Sequence, residues 1–138
     1  MIHIGFTIDA DNNAHIVIKD GQRHVIRLRQ IPLGESRGET AEWLTCKAAI
    51  REAGGLGAQA IRLYSDCQVI DRLNNRDPAY QPAELVWPTG YGRLPDYQDA
   101  DLFHYFDALS LLWRLFNGKW EAIRIEKERI LNENNRTD

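Results

Sequence analysis

The chain opens on a strict alternation. In "IHIGFTIDA", Ile2, Ile4, Phe6 and Ile8 fall on one face and His3, Gly5, Thr7 and Asp9 on the other. A period of two with unlike faces predicts a half-buried strand. "DNNA" is turn chemistry, and "HIVI" resumes the strand pattern. "KDGQ" predicts a tight hairpin, because Asp-Gly suits a primed turn, and "RHVIRLRQI" follows as a third strand. The first forty or so residues therefore predict a three-stranded antiparallel meander.

The period then changes. In "ESRGETAEWLTCKAAIREAGG", Trp43, Cys46, Ile50 and Ala53 recur at helical spacing. Ser36 and Glu39 fit a capping box at the start of this helix, and Gly54-Gly55 mark its end. "AIRLY" is a short apolar run, as in a buried parallel strand, and "SDCQVIDRLN" reads as a second helix. Four of the five prolines lie between Asn75 and Tyr97, so that segment reads mostly as loop. "DADLFHYFDALSLLWRLFNG" predicts a strong helix, with aspartates in its first turn, a stripe of Phe106, Leu109, Trp113 and Phe116, and Gly118 as a stop. "KWEAIRIEK" predicts a fifth strand. Three consecutive strands followed by strand–helix alternation imply an α/β fold, a mixed sheet with helices packed on it.

A length of 138 residues and a hydrophobic fraction of 43% suit a single domain, residues 1–138, with one core. The net charge of −3 gives no overall pull toward nucleic acid, so any such binding needs a local basic patch. Arg23, Arg27 and Arg29 share one face of the third strand, Arg37 precedes the first helix, and Trp43 stands beside Glu42. A solvated sheet face and a core aromatic explain the same residues. "VWPTGYGRLPDYQ" places Trp87, Tyr91 and Arg93 in one segment, suited either to stacking on bases or to covering the sheet. Cys46 and Cys67 have neither redox nor zinc spacing, and reduced thiols in a cytoplasmic protein are the simplest reading. No signal peptide or membrane span is visible. The four histidines show no paired metal spacing, and His15 and His24 read as surface strand residues. "GGLGA" precedes a strand rather than following one, which is wrong for nucleotide binding.

Two further carboxylates stand at element boundaries. Asp66 follows the "AIRLY" run and suits either the first turn of a helix, where the dipole favours an anion, or a metal ligand. Asp9 ends the alternating run and could equally open the turn, with Asp11 as a rival.

With this order of elements, "SDCQVIDRL" and "ETAEWLTCKAAIREA" resemble the strand-to-helix joint and the first helix of the ribonuclease H family. Asp9 matches that family's first-strand aspartate, and "NNRTD" is similar to its closing motif, making Asp138 the last acidic member. The resemblance implies a five-stranded mixed sheet flanked by helices. It implies a nuclease that cuts the RNA strand of RNA–DNA hybrids with Mg²⁺ or Mn²⁺. Phosphodiester hydrolysis needs an activated water and a stabilised leaving oxygen, and two divalent ions roughly 4 Å apart serve both. By resemblance Asp9, Glu42, Asp66 and Asp138 are the catalytic residues and metal ligands, and Arg37, Trp43, Arg27 and Arg29 contact nucleic acid.

The chain departs from that pattern in several places. "ADNNAH" is a bare turn where a glycine-rich loop is usual, and Glu39 stands where an amide is expected. "EKERILNEN" replaces a histidine-bearing loop, the basic protrusion of some members is absent, and the final helix is expected to be missing or truncated. A catalytically degenerate module that binds nucleic acid or protein fits these departures, as does another nuclease or resolvase on the same scaffold. Oligomeric state and pathway are not encoded in these patterns.

Overall fold

The two periods of the sequence become two kinds of layer. The computed structural model describes residues 1–74 and 100–134. The expected loop between Asn75 and Tyr97, and Asp138, lie outside the described residues. Strands β1 (Ile2–Ile8), β2 (Asn13–Lys19) and β3 (Val25–Pro32) come first. Helix α1 (Gly38–Gly55), strand β4 (Ile61–Ser65) and helix α2 (Val69–Asn74) follow. Helix α3 spans Ala100–Phe116, β5 spans Trp120–Arg124, and α4 spans Lys127–Asn134. No described helix is long and apolar enough to cross a membrane.

The five strands form one sheet in the order β3-β2-β1-β4-β5. The β1–β2 and β2–β3 pairs are antiparallel; β1–β4 and β4–β5 are parallel. This is the mixed sheet expected from the order of elements. Ile4, Phe6, Ile16, Ile18, Ile61 and Leu63 form the buried sheet side of the core. Against them pack Trp43, Cys46, Ile50 and Ala53 of α1, with Tyr105, Ala108, Leu109, Leu112 and Phe116 of α3. Each fully buried aliphatic or aromatic side chain contributes about 1.5–3 kcal/mol, so this layer dominates stability. The Lys47 ammonium, buried in α1, joins α1 to α3 through Asp107 at 2.9 Å.

Several local expectations are corrected. Arg37 is the N-cap of α1 and makes no side-chain capping bond, so Ser36 and Glu39 form no capping box. Glu39 is held instead by Arg72 of α2, at 2.6 Å. Trp113 is exposed rather than part of the buried stripe of α3. Arg23 precedes β3 and lies in the hairpin turn. The segment read as replacing a loop, "EKERILNEN", contains helix α4. That helix covers the second sheet face through Ile130, which is 2% exposed. The Ile130 side chain sits over Gly5, where an added Cβ would be in ordinary van der Waals contact at 3.4 Å.

One contact links the first hairpin to the start of α1. Asn12 takes the left-handed conformation, φ 62°, which asparagine tolerates better than most residues. Its side-chain amide donates to the carbonyls of Gly34 at 3.1 Å and Ser36 at 2.8 Å.

The seating of α4 is testable. Ile130→Ala should destabilise the protein by about 2–4 kcal/mol in urea unfolding, the usual cost of a cavity at a buried aliphatic site. Hydrogen exchange should show α4 losing protection while the β1–β4 ladder keeps it. An unchanged unfolding midpoint would contradict this packing.

Candidate active site

Parallel pairing brings distant carboxylates to one sheet edge. The β1–β4 register runs from Ile2↔Ile61 to Phe6↔Ser65, so Thr7 and Asp66 emerge side by side. The Thr7 hydroxyl donates to Asp66 Oδ1 at 2.5 Å. Beneath them Ser65 locks the joint: its hydroxyl donates to the Phe6 carbonyl at 2.5 Å and accepts from the Cys67 amide at 3.0 Å.

Glu42 reaches this edge from α1. Its Oε1 accepts from the Val69 amide at 3.2 Å, at the first residue of α2. Burial raises the Glu42 pKa above the ordinary value, and the neighbouring charge of Asp66 raises it further. The amides of Val69 and Gln68 and the charge of Arg124 work in the opposite direction. Lys127 Nζ stands 4.0 Å from Asp66 Oδ2. Two carboxylates, from α1 and from the end of β4, therefore share a partly buried site with cationic neighbours.

Asp9 is placed differently. It follows β1 and turns into the hairpin, where Oδ1 accepts from the amides of Asp11 at 2.9 Å and Asn13 at 3.0 Å. Its Oδ2 meets His15 Nε2 at 2.6 Å. The bond to His15, then the Asn13 amide, hold the Asp9 pKa below the ordinary carboxylate value. His15 is 4% exposed, which corrects its reading as a surface residue. Asp11 contributes its backbone amide to this turn. Among the described residues, no three His, Cys, Asp or Glu side chains are grouped so that they could hold a metal ion.

The expected nucleic-acid contacts also divide. Trp43 is 0% exposed, with its ring 5.7 Å from that of Tyr105, so it belongs to the core and cannot stack on a base. Arg27 and Arg29 converge on Glu52 of α1, at 2.7 and 2.5 Å, and tie the edge strand to the helix. Arg37 is exposed and donates to the Gly34 and Ser36 carbonyls.

Thr7, His15 and Lys127 were not expected at this edge. For Thr7 a signal existed: it lies on the same alternating face as Asp9. Its pairing with Asp66 follows from a register between strands far apart in sequence, which periodicity does not contain.

Three solved structures share this architecture. The RNase H1 of the halophilic archaeon Halobacterium salinarum matches with a TM-score of 0.64 and 19% identity, over 96% of each chain. The N-terminal RNase H domain of a Mycobacterium tuberculosis protein matches at 0.62 and 16%, over 94% of this chain and 90% of that one. LC11-RNase H1, solved in complex with an RNA/DNA hybrid, matches at 0.61 and 15%, over 96% and 90%. No protein-family model matches the sequence, and no curated protein matches it at a significant level. The fold is ribonuclease H-like.

The Asp9–His15 bond sets a pH dependence. A carboxyl whose pKa is lowered by folding adds stability that is fully present above its ordinary value of 3.8. That stability is lost as pH falls through the lower, folded value. Asp9→Asn should cost about 1–3 kcal/mol at pH 7, the usual loss for a charge-assisted bond. The gap between variant and parent, followed by urea unfolding, should close in acid. A gap that stays constant down to pH 2 would contradict the assignment.

Proposed function

We propose that this protein is a metal-dependent ribonuclease H-like hydrolase that cuts the RNA strand of RNA–DNA hybrids. The observation that carries the reading is the convergence of Glu42 and Asp66 where the parallel strands β1 and β4 end. Paired oxygen donors suit a hard divalent ion: Mg²⁺ takes one or two carboxylates from protein and completes its shell with water and phosphate. Burial is the main cause of the raised Glu42 pKa and the charge of Asp66 adds to it; a cation beside both carboxylates would favour their charged forms.

The donor set fits one Mg²⁺ or Mn²⁺, with Glu42 and Asp66 as ligands. A second ion would need Asp9 or Asp138. Asp9 is committed to His15, and Asp138 lies outside the described residues. A bound ion would activate water and stabilise charge on the leaving oxygen. The chain's own residues prepare the site. Thr7 fixes the Asp66 carboxylate through Oδ1, the amides of Gln68 and Val69 orient Glu42, and Lys127 adds a positive charge beside Asp66. Arg37 is the candidate phosphate contact, and the exposed Arg27 and Arg29 would contact phosphate only by exchanging Glu52 for it. The similar LC11-RNase H1, with its bound hybrid, supports the choice of substrate.

A second reading rests on Thr7. A hydroxyl, not a carboxylate, stands beside Asp66, while Asp9 is held by its own hairpin. On that reading the chain is a catalytically degenerate module that binds nucleic acid or protein.

Cleavage of a labelled hybrid with Mg²⁺ or Mn²⁺ separates the two. On the first reading the parent cuts the RNA strand, and Asp66→Asn and Glu42→Gln each lower the rate by more than about 100-fold, beyond the usual loss for an outer-shell residue. Hybrid binding without cleavage would establish the degenerate module. Equal cleavage by parent and variants would remove both carboxylates from the mechanism.

A further inference from the structure

A concave site lies on the sheet face covered by α4, and its charge is opposite to that of the Glu42–Asp66 edge. Its cationic wall is assembled from separate elements: Lys19 at the end of β2, Arg23 in the following hairpin, and Arg129 on α4. His3 and Tyr64 line it from β1 and β4, and Val17 and Ile130 supply apolar surface. Among the described residues no Asp or Glu lines it, although the chain as a whole carries a net charge of −3.

Two of the nearby acids are committed elsewhere. Asp20 is turned into its own hairpin, accepting from the amides of Gln22 and His24, each at 2.9 Å. Arg62, which stands near His3, is paired with Glu121 at 2.8 Å. Among the described residues, neither Arg23 nor Arg129 has a carboxylate partner. Burial lowers the His3 pKa, and the charges of Arg23 and Arg62 lower it further.

Arg23 carries a second indication. Its backbone is left-handed, φ 65°, a conformation that glycine or asparagine adopts more easily than arginine. The turn therefore holds a guanidinium where the backbone alone would favour a glycine. A guanidinium presents paired donors that match phosphate geometry. The cleft's inner volume is about 100 Å³. At its side the rings of His3 and Tyr64 are stacked, 5.9 Å apart at 24°, with Tyr64 Oη 3.1 Å from His3 Nδ1.

We propose that this cleft binds the phosphate of a ring-bearing organic phosphate, a nucleoside monophosphate or the phosphorylated end of a strand. Arg23 and Arg129 hold the phosphate, and Tyr64 with His3 faces the ring. The site shares no residue with the Glu42–Asp66 pair and does not depend on the proposed hydrolysis.

An NMR titration of the full chain tests it, with AMP, adenosine and a 5′-phosphorylated dinucleotide as ligands. Both phosphates should saturably shift signals of His3, Tyr64, Arg23 and Arg129, and adenosine should not; the tighter phosphate identifies the source. Arg23→Gly suits the left-handed backbone, so it should leave the unfolding midpoint intact. It and Arg129→Gln should each weaken AMP binding about tenfold, the scale of one lost charge-assisted bond. Asp66→Asn should leave AMP binding unchanged. The proposal is overturned if adenosine binds as tightly as AMP, if millimolar phosphate ligand causes no saturable shift, if the folded arginine variants keep full affinity, or if Asp66→Asn abolishes binding.

Discussion

The parallel pairing of β1 with β4 is the constraint on which the rest depends. Side chains alternate across a strand, so a slip of one residue would send Thr7 and Asp66 to opposite faces. The observed register ends at Phe6↔Ser65, and the Ser65 hydroxyl fastens it by donating to the Phe6 carbonyl. With that edge set, α1 lies over the same strands through Trp43, Cys46 and Ile50, and Glu42 arrives at the start of α2. The site thus follows from core packing. The residues that hold its geometry are largely apolar and lie beneath it.

Electrostatics then divides the surface. Several arginines are neutralised in structural pairs: Arg27 and Arg29 with Glu52, Arg72 with Glu39, Arg62 with Glu121, and Arg124 with Asp71. Exposed pairs of this kind contribute little stability each, but they leave fewer cations free to attract a phosphate backbone. Carboxylates concentrate at the Glu42–Asp66 edge, and cations line the cleft beside α4. This division of charge underlies the two proposed sites, one for a metal ion and one for a phosphate.

Much of the fold was legible because it rests on local period. The alternation in "IHIGFTIDA" located β1, and the helical spacing of Trp43, Cys46, Ile50 and Ala53 located the buried face of α1. That same stripe already placed Trp43 inside, against its reading as a nucleic-acid contact. Helix α4 was not legible, because its apolar content is confined to Ile130 and Leu131 in an otherwise polar run. Helix-capping chemistry also misled: the Ser36–Glu39 spacing fitted a box, but Arg72 claimed Glu39 across 33 residues of chain. The site was legible in part. The motifs around Glu42 and Asp66 led to one shared edge. Whether the first strand offers Asp9 or Thr7 there depends on strand register and on the His15 bond, and both are tertiary facts.

The central claim is that Glu42 and Asp66 together hold a divalent cation. Paramagnetic broadening by Mn²⁺ tests it most directly, since the effect marks the nuclei closest to the ion. Amide signals of Cys67, Gln68, Val69 and Glu42 should broaden first at substoichiometric Mn²⁺, recover on competition with Mg²⁺, and stay sharp in Asp66→Asn. Broadening that is spread over the surface, or that persists unchanged in that variant, would contradict the account.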